Sequence, residues 1–297
     1  MHVSPPEKPF SLHATGAVAR RQAVSRGSRW VLLGATAVSI AVLFILAYSV
    51  ISVGGDKISV NFLTNYPSRF ADQAGLRSSL LGWGWILATT VVVAIPVAIG
   101  TAIWLEEFAP KSRLMVVIRL NISNLAGVPS IIYGILGLAI FVRLLDLGSS
   151  ILAGAFTLTL MILPMTIIAS SEAIRQVPSS IRQASLALGA TQWQTVWFHV
   201  LPNALPGIMT GVILAVSRAA GETAALIMIG AFAFIAFDNT SVFEDFTTVP
   251  IQIYNWTTRP QEEFRAIAAA GIIVLMVCVL SLNLIAVIIR ERFRKTF

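Results

Sequence analysis

Apolar residues in this 297-residue chain gather into long uninterrupted runs, not into the short alternating or 3.6-residue patterns of a soluble domain. Six runs reach the ~20 residues a helix needs to cross a bilayer. They cover residues 30–53, 79–105, 115–142, 150–170, 205–236 and 265–289, so the pattern predicts an all-α polytopic membrane protein with six transmembrane helices. Between them lie a polar loop at 54–77 with Gly54, Gly55 and Pro67, and short connections at 106–114 and 143–149. The longest connections are 171–204 and 237–264. Pro96 and Pro129 fall inside the second and third spans, where a missing backbone donor predicts a bend.

Residues 1–29 are polar, and 1 to about 20 read as a mobile tail with two early prolines. The run from Val31 to Val53 is longer than a signal-peptide core and has no A-x-A site after it, so it is expected to be an uncleaved first span.

Composition supports the membrane reading. The chain is 56% hydrophobic and 12% charged, against about a quarter charged for a soluble domain. The single cysteine, Cys278, excludes an internal disulfide and a thiolate metal site. His2, His13 and His199 have no companion at ligand spacing, so no metal site is expected. The net charge of +7 suggests nucleic acid, but its location argues otherwise. Lys8, Arg20, Arg21, Arg26 and Arg29 precede the first span, and Arg290, Arg292, Arg294 and Lys295 follow the last. Basic residues at span ends are orientation signals. With both termini in the cytoplasm, that side holds thirteen Lys and Arg against six outside, and the external connection 237–264 is acidic.

One polar connection carries a pattern. Residues 183–202, QASLALGATQWQTVWFHVLP, read as a short helix from Ile181 to Leu188, a break at Gly189, and a second piece from Thr191 to about Val200 that ends at Pro202. This makes a compact knob between two spans, and glycine suits the break because it tolerates positive φ. Gln183-Ala184-Ser185, three residues, Gly189, nine residues and His199-Val200-Leu201-Pro202 resemble the cytoplasmic signature of ABC importer permeases. That pattern is E-A-A, three residues, Gly, nine residues, I-x-L-P. Gln183 replaces the glutamate and His199 the isoleucine. The stretches GTAIWLEEFAPKSR, VPSIIYGILG, SIRQASLALGATQWQTV and SRAAGETAALIM, in this order, resemble the PstA-type permeases of phosphate-specific ABC importers over residues 78 to 290.

The resemblance implies a type I ABC importer transmembrane domain over 78–290, with a coupling segment at 181–202. A tail at 1–29, a first span with its external loop at 30–77 and a basic tail at 291–297 complete the chain. It implies a multi-pass subunit of a bacterial inner (cytoplasmic) membrane that carries half of a phosphate pathway. The implied partners are a homologous second permease, two ATP-binding subunits and an external phosphate-binding protein. Gln183, Ala184, Ser185, Gly189, Ala190 and Thr191 would meet the ATPase. The chain has no G-x-x-x-x-G-K-[ST] loop, so ATP and Mg would be bound by that partner and this subunit would not itself be an enzyme.

SRAAGETAALIM also places Arg218 and Glu222 within an apolar run. On a continuous helix they share one face. An ionised side chain at bilayer depth is costly unless it meets a partner or a wet cavity. The pair is therefore either a structural ion pair or part of an anion pathway, in which the planar Arg218 fork would hold phosphate oxygens. Glu222 would accept the proton that phosphate keeps and sulfate lacks, or hold Arg218 in position. Ser217 and Thr223 add hydroxyls nearby. Arg119 either snorkels to the interface or marks a second point of anion passage. The residues leave three other readings standing: a permease for molybdate or sulfate, a secondary transporter, and a membrane-embedded enzyme. No inverted repeat or convergent catalytic set favours either of the last two.

Overall fold

The computed structural model describes residues 16–231 and 234–294, and among them no strand occurs. Residues 1–15 of the expected tail lie outside that range. Twelve helices follow in order: α1 (Ala17–Gly54), α2 (Val60–Thr64), α3 (Arg77–Ile103), α4 (Arg113–Ala126), α5 (Ser130–Gly137) and α6 (Ile151–Arg175). After these come α7 (Ser179–Ala187), α8 (Gln192–Thr195), α9 (Leu201–Ala220), α10 (Ala224–Met228), α11 (Val249–Thr257) and α12 (Glu263–Arg294). Five helical stretches are long and apolar enough to cross a membrane, and a sixth is reached if the bent pair α4–α5 counts as one span.

The chain divides at Val50. Up to that point α1 is a single helix whose side chains are exposed almost throughout, and residues 17–29, expected in the tail, form its first turns. A helix that is apolar all round needs lipid or a neighbour on every side.

From Ile51 onward the helices form one unit in which α6 packs chiefly against α3 and α9, while a separate apolar cluster joins α2, the start of α3, α11 and α12. Leu158, Met161 and Ile162 of α6 are buried with Ile86 of α3, Leu226 of α10 and Phe246 of the loop before α11. Gly207 and Gly211 on α9 face Ala173 and Ala169 on α6. A Cβ at either glycine would lie 2.7 Å and 2.4 Å from the opposing methyl. This spacing of small residues brings two backbones together where lipid provides no hydrophobic drive for helix association. At the start of α6, Ile151 N–H donates to Glu244 O at 3.0 Å and Leu152 N–H to Val242 O at 2.8 Å, so the 238–248 loop satisfies donors that the helix leaves free.

Two predicted spans differ from the structure. The third, 115–142, is broken: α4 and α5 meet at 102° around Gly127-Val128-Pro129, with Pro129 as the residue preceding α5. Proline fixes φ and lacks a donor, which suits it to the start of a helix. The fifth, 205–236, begins earlier and ends sooner. Helix runs continuously from Gln192 to Ala220, then stops at Gly221. The second piece of the knob therefore does not end at Pro202. A π-helical turn at Val196–Val200 precedes that proline, widening the helix where one backbone donor is lost. At Pro96 the helix is not broken: α3 continues past it.

Candidate functional site

Polar side chains concentrate at two places along the continuous 192–220 helix. The first is its C-terminus. Arg218 occupies the last turn of α9, where a cation complements the negative end of the helix dipole. Its guanidinium is exposed, and its recorded partner is the Met165 sulfur of α6, 3.8 Å from Nη1. Trp83 Nε1 donates to Ala220 O at 2.8 Å, which satisfies one terminal carbonyl.

Beyond Gly221 the chain turns, and Glu222 Oε1 accepts from Ala225 N–H at 3.1 Å at the start of α10. The expectation that Arg218 and Glu222 lie on one face of a continuous helix is thus corrected, and among the described residues no ion pair joins them. The physical reason is Gly221, which weakens the helix where the following residues turn back to pack α10 against α5. Ser217 Oγ lies 2.7 Å from Ile213 O and 2.5 Å from Asn283 Oδ1 of α12, so its single proton serves one acceptor at a time. Thr223 Oγ1 donates to Gly221 O at 3.4 Å.

Arg119 is not part of this cluster. Its guanidinium pairs with Glu106 and donates to Leu105 O, at the end of α3 away from Trp83.

The second place is the knob. Gln183 and Ala184 are exposed on α7, whereas Ser185 is buried and its Oγ lies 2.9 Å from Thr195 Oγ1. That bond clips α7 to α8. Gly189 sits between them at φ +86° with open space where a side chain would be. Ala190 N–H donates to Ser185 O at 3.2 Å, and Thr191 caps α8 through a reciprocal pair with Gln194. Around this turn Leu188 is 90% exposed, and Trp193 and Trp197 stack at 5.8 Å with both rings largely open. Phe198 extends the same apolar patch.

Sequence reasoning missed several residues that shape both places. Trp83, Met165 and Asn283 frame the end of α9 from three other helices, and no spacing within the sequence points to them. Glu106 and Glu107 were read only as a charged connection. A signal existed: two adjacent carboxylates directly after an apolar helix are rarely left without partners.

Residues 94–295 match the family model described as the binding-protein-dependent transport system inner membrane component. Among curated proteins, the chain is 35% identical over 268 residues to a probable ABC transporter permease protein, YqgI, of Bacillus subtilis, covering 86% of this chain and 91% of that one. It is 30% identical over 247 residues to the phosphate transport system permease protein PstA of Yersinia pestis, covering 82% of each. Among solved structures, a chain of a bacterial alginate ABC transporter superposes with a TM-score of 0.67 at 15% identity, covering 91% of this chain and 97% of that one. That likeness is one of fold.

Proposed function

Because the chain belongs to the binding-protein-dependent transport family of inner-membrane permeases, we propose that it is the transmembrane subunit of an ATP-driven importer of inorganic phosphate and lines half of the pathway. The observation that carries this reading is Arg218: a permanent cation in a span, exposed at the side of the bundle and paired with no carboxylate among the described residues. An unpaired guanidinium at membrane depth is costly unless another surface or an anion meets it. A second, homologous permease would close that side, and phosphate would supply the counter-charge through two parallel hydrogen bonds.

One of the two ATP-binding subunits would dock on the knob, where Leu188, Trp193 and Phe198 offer apolar side chains beside the open Gly189 turn, and the other would meet the second permease. ATP and Mg would be bound there, by the partner, and this chain would contribute no catalytic group. An external phosphate-binding protein would deliver substrate at the opposite end, near Asp238. Both termini and the knob would be cytoplasmic. The relatives named as phosphate permeases favour phosphate over molybdate or sulfate.

The reading is tested by co-expressing the chain with the second permease and the ATP-binding subunit, then measuring labelled phosphate uptake in vesicles loaded with ATP and supplied with the binding protein. ATP-dependent uptake that excess sulfate does not inhibit supports it. Failure of an ATP-binding subunit to co-purify would overturn it. Orientation is checked with single cysteines at Ser68, Ser180 and Ser241 in a Cys278→Ala background. An impermeant thiol reagent added outside should label positions 68 and 241 and spare 180.

A further inference from the structure

Glu106 and Glu107 are neighbours in a π-helical turn, Trp104–Phe108, that ends α3. Each side chain is about nine-tenths covered, and each is fully engaged with arginines from elsewhere in the chain. Successive helical residues point about 100° apart, so adjacent carboxylates serve different neighbours. Glu106 pairs with Arg119 of α4 and with Arg175 at the end of α6, 3.0 Å away. Glu107 turns to the knob, where Arg182 of α7 grips it through Nη2 at 2.6 Å and Nε at 3.1 Å. The same guanidinium donates to Val177 O at 2.6 Å and Ile174 O at 2.9 Å, closing the end of α6. Gln192 donates to the Glu107 carbonyl, and Phe108 lies 6.0 Å from Trp193.

Ile181 supplies apolar packing of α7 against the cluster around Ala102, Ile174 and Val200. Ser185 is the buried residue of α7, so charged and polar contacts supply the directional part of the attachment of the knob to the spans. α7 and α8 are joined covalently only to α6 and α9; the Glu107 contacts, the Phe108–Trp193 ring pair and the packing of Ile181 on the cluster around Ala102 tie them to the end of α3. We infer that Glu107 is a positioning residue: it carries movement of the knob to the end of α3, and Glu106 passes it to α4. This rests on the reading of the knob as the contact with the ATP-binding partner. It adds that an ion pair inside this chain, behind the docking face, sets how much of each ATP hydrolysis reaches the pathway.

Glu107→Gln keeps the side chain's length and leaves both the backbone acceptor for Gln192 and the carbonyl contacts of Arg182 in place. Vesicles carrying this variant should assemble with the ATP-binding subunit and hydrolyse ATP near the parental rate. ATP consumed per phosphate moved should rise about five- to tenfold, the size of a typical coupling between sites. Glu107→Asp, which keeps the charge on a shorter stem, should restore most of the coupling. If the glutamine variant is not recovered in the membrane, the aspartate variant carries the test with a smaller rise. A purely structural role lowers uptake and hydrolysis in proportion, and that result overturns the inference, as does an unchanged ratio. An independent measurement separates this from the transport reading. Spin labels at Lys111 and Leu188 in the Cys278→Ala background should give a narrow distance distribution that broadens in Glu107→Gln. Broadening in a complex that moves no phosphate keeps the tie and discards the transport reading; an unbroadened distribution discards the tie.

Discussion

The two charged regions of the bundle solve the same electrostatic problem in opposite ways. Around Glu106 and Glu107, three arginines and three glutamates close on one another at the end of α3, so every charge has a partner within the chain. At the end of α9, Arg218 has the Met165 sulfur as its hydrogen-bond partner and no carboxylate paired with it among the described residues, and Glu222 turns away to accept from a backbone amide. A self-paired network is a structural joint, since its charges are already spent on one another. An exposed charge without a pair is held ready for something that arrives. Hydropathy alone makes the two regions look alike, and only the geometry distinguishes the self-paired joint from the unpaired cation on which the proposed anion pathway rests.

The largest test of that contrast removes the waiting cation. Arg218→Gln should lower phosphate uptake about ten- to hundredfold while the complex still assembles, since a hydrogen bond to a charged group is worth about 1.5–3 kcal/mol. Arg218→Lys should fall between, keeping charge without the fork. The double variant Arg218→Leu with Glu222→Leu should also fail to transport; uptake at the parental rate would return both residues to a structural role.

Next in size is the self-paired side. Glu106→Gln leaves Arg119 and Arg175 facing each other with one carboxylate fewer. Both arginines are part-exposed, so the loss should be about 1–2 kcal/mol, below the figure for a fully buried pair. A thermal scan in detergent should show it as a lowered Tm with no change in anion preference.

Glu222→Gln is expected to have a smaller effect, about a few-fold in uptake, because a neutral amide still accepts from Ala225 N–H but more weakly. The direction of selectivity reads its role. If Glu222 accepts the phosphate proton, sulfate should compete better in this variant; if it serves only the start of α10, preference should not move.

The smallest effect is at the start of α3, where Arg77 Nε donates to Asp238 Oδ1 at 2.8 Å and the Tyr66 hydroxyl donates to the same oxygen at 3.1 Å. The Arg77 guanidinium holds the Asp238 carboxyl below its ordinary 3.8. A carboxyl depressed in the folded state adds stability above its unfolded value, and that contribution is lost as pH falls through the folded one. The Tm should therefore be insensitive to this contact above about pH 5 and should fall on acidification below about pH 4, a fall that Asp238→Asn makes smaller, since other depressed carboxylates such as Glu244 remain.

Much of this architecture is legible in the sequence, for a definite reason. α3, α6 and α12 follow the apolar runs because length and hydropathy are what a bilayer selects. Gly189 announces the knob because a break between two short amphipathic pieces needs a residue at ease with positive φ. The end of α9 is not legible. The apolar run continues past Gly221 through AALIMIGAFAF, and hydropathy cannot separate a helix that crosses from one that stops and folds back. Non-helical backbone at that depth is permitted where protein buries it, and packing of α10 against α5 does so here. The bend at Pro129 escaped as a break for the same reason: both arms are apolar. The Glu106–Glu107 joint is hidden by distance, since its partners lie 13, 69 and 75 residues away. The functional role assigned to the 181–202 stretch came from family likeness, whereas the role of Arg218 came from the expense of a charge in an apolar run.

The unbroken helix from Gln192 to Ala220 has a mechanical meaning. At 1.5 Å per residue, Arg218 stands about 39 Å along the axis from the capped start of α8. A rod of that length is a lever whose short handle is the knob. A tilt of about 5° about its foot would sweep the guanidinium sideways by about 3 Å, roughly one hydrogen-bond length. The π-helical turn at Val196–Val200 lies near the handle and Pro206 soon after it, which leaves the stretch from Gly207 to Ala220 free of either irregularity. If Arg218 holds an anion as proposed, a few degrees of rotation at the knob would be enough to make or break that grip at the far end of the helix.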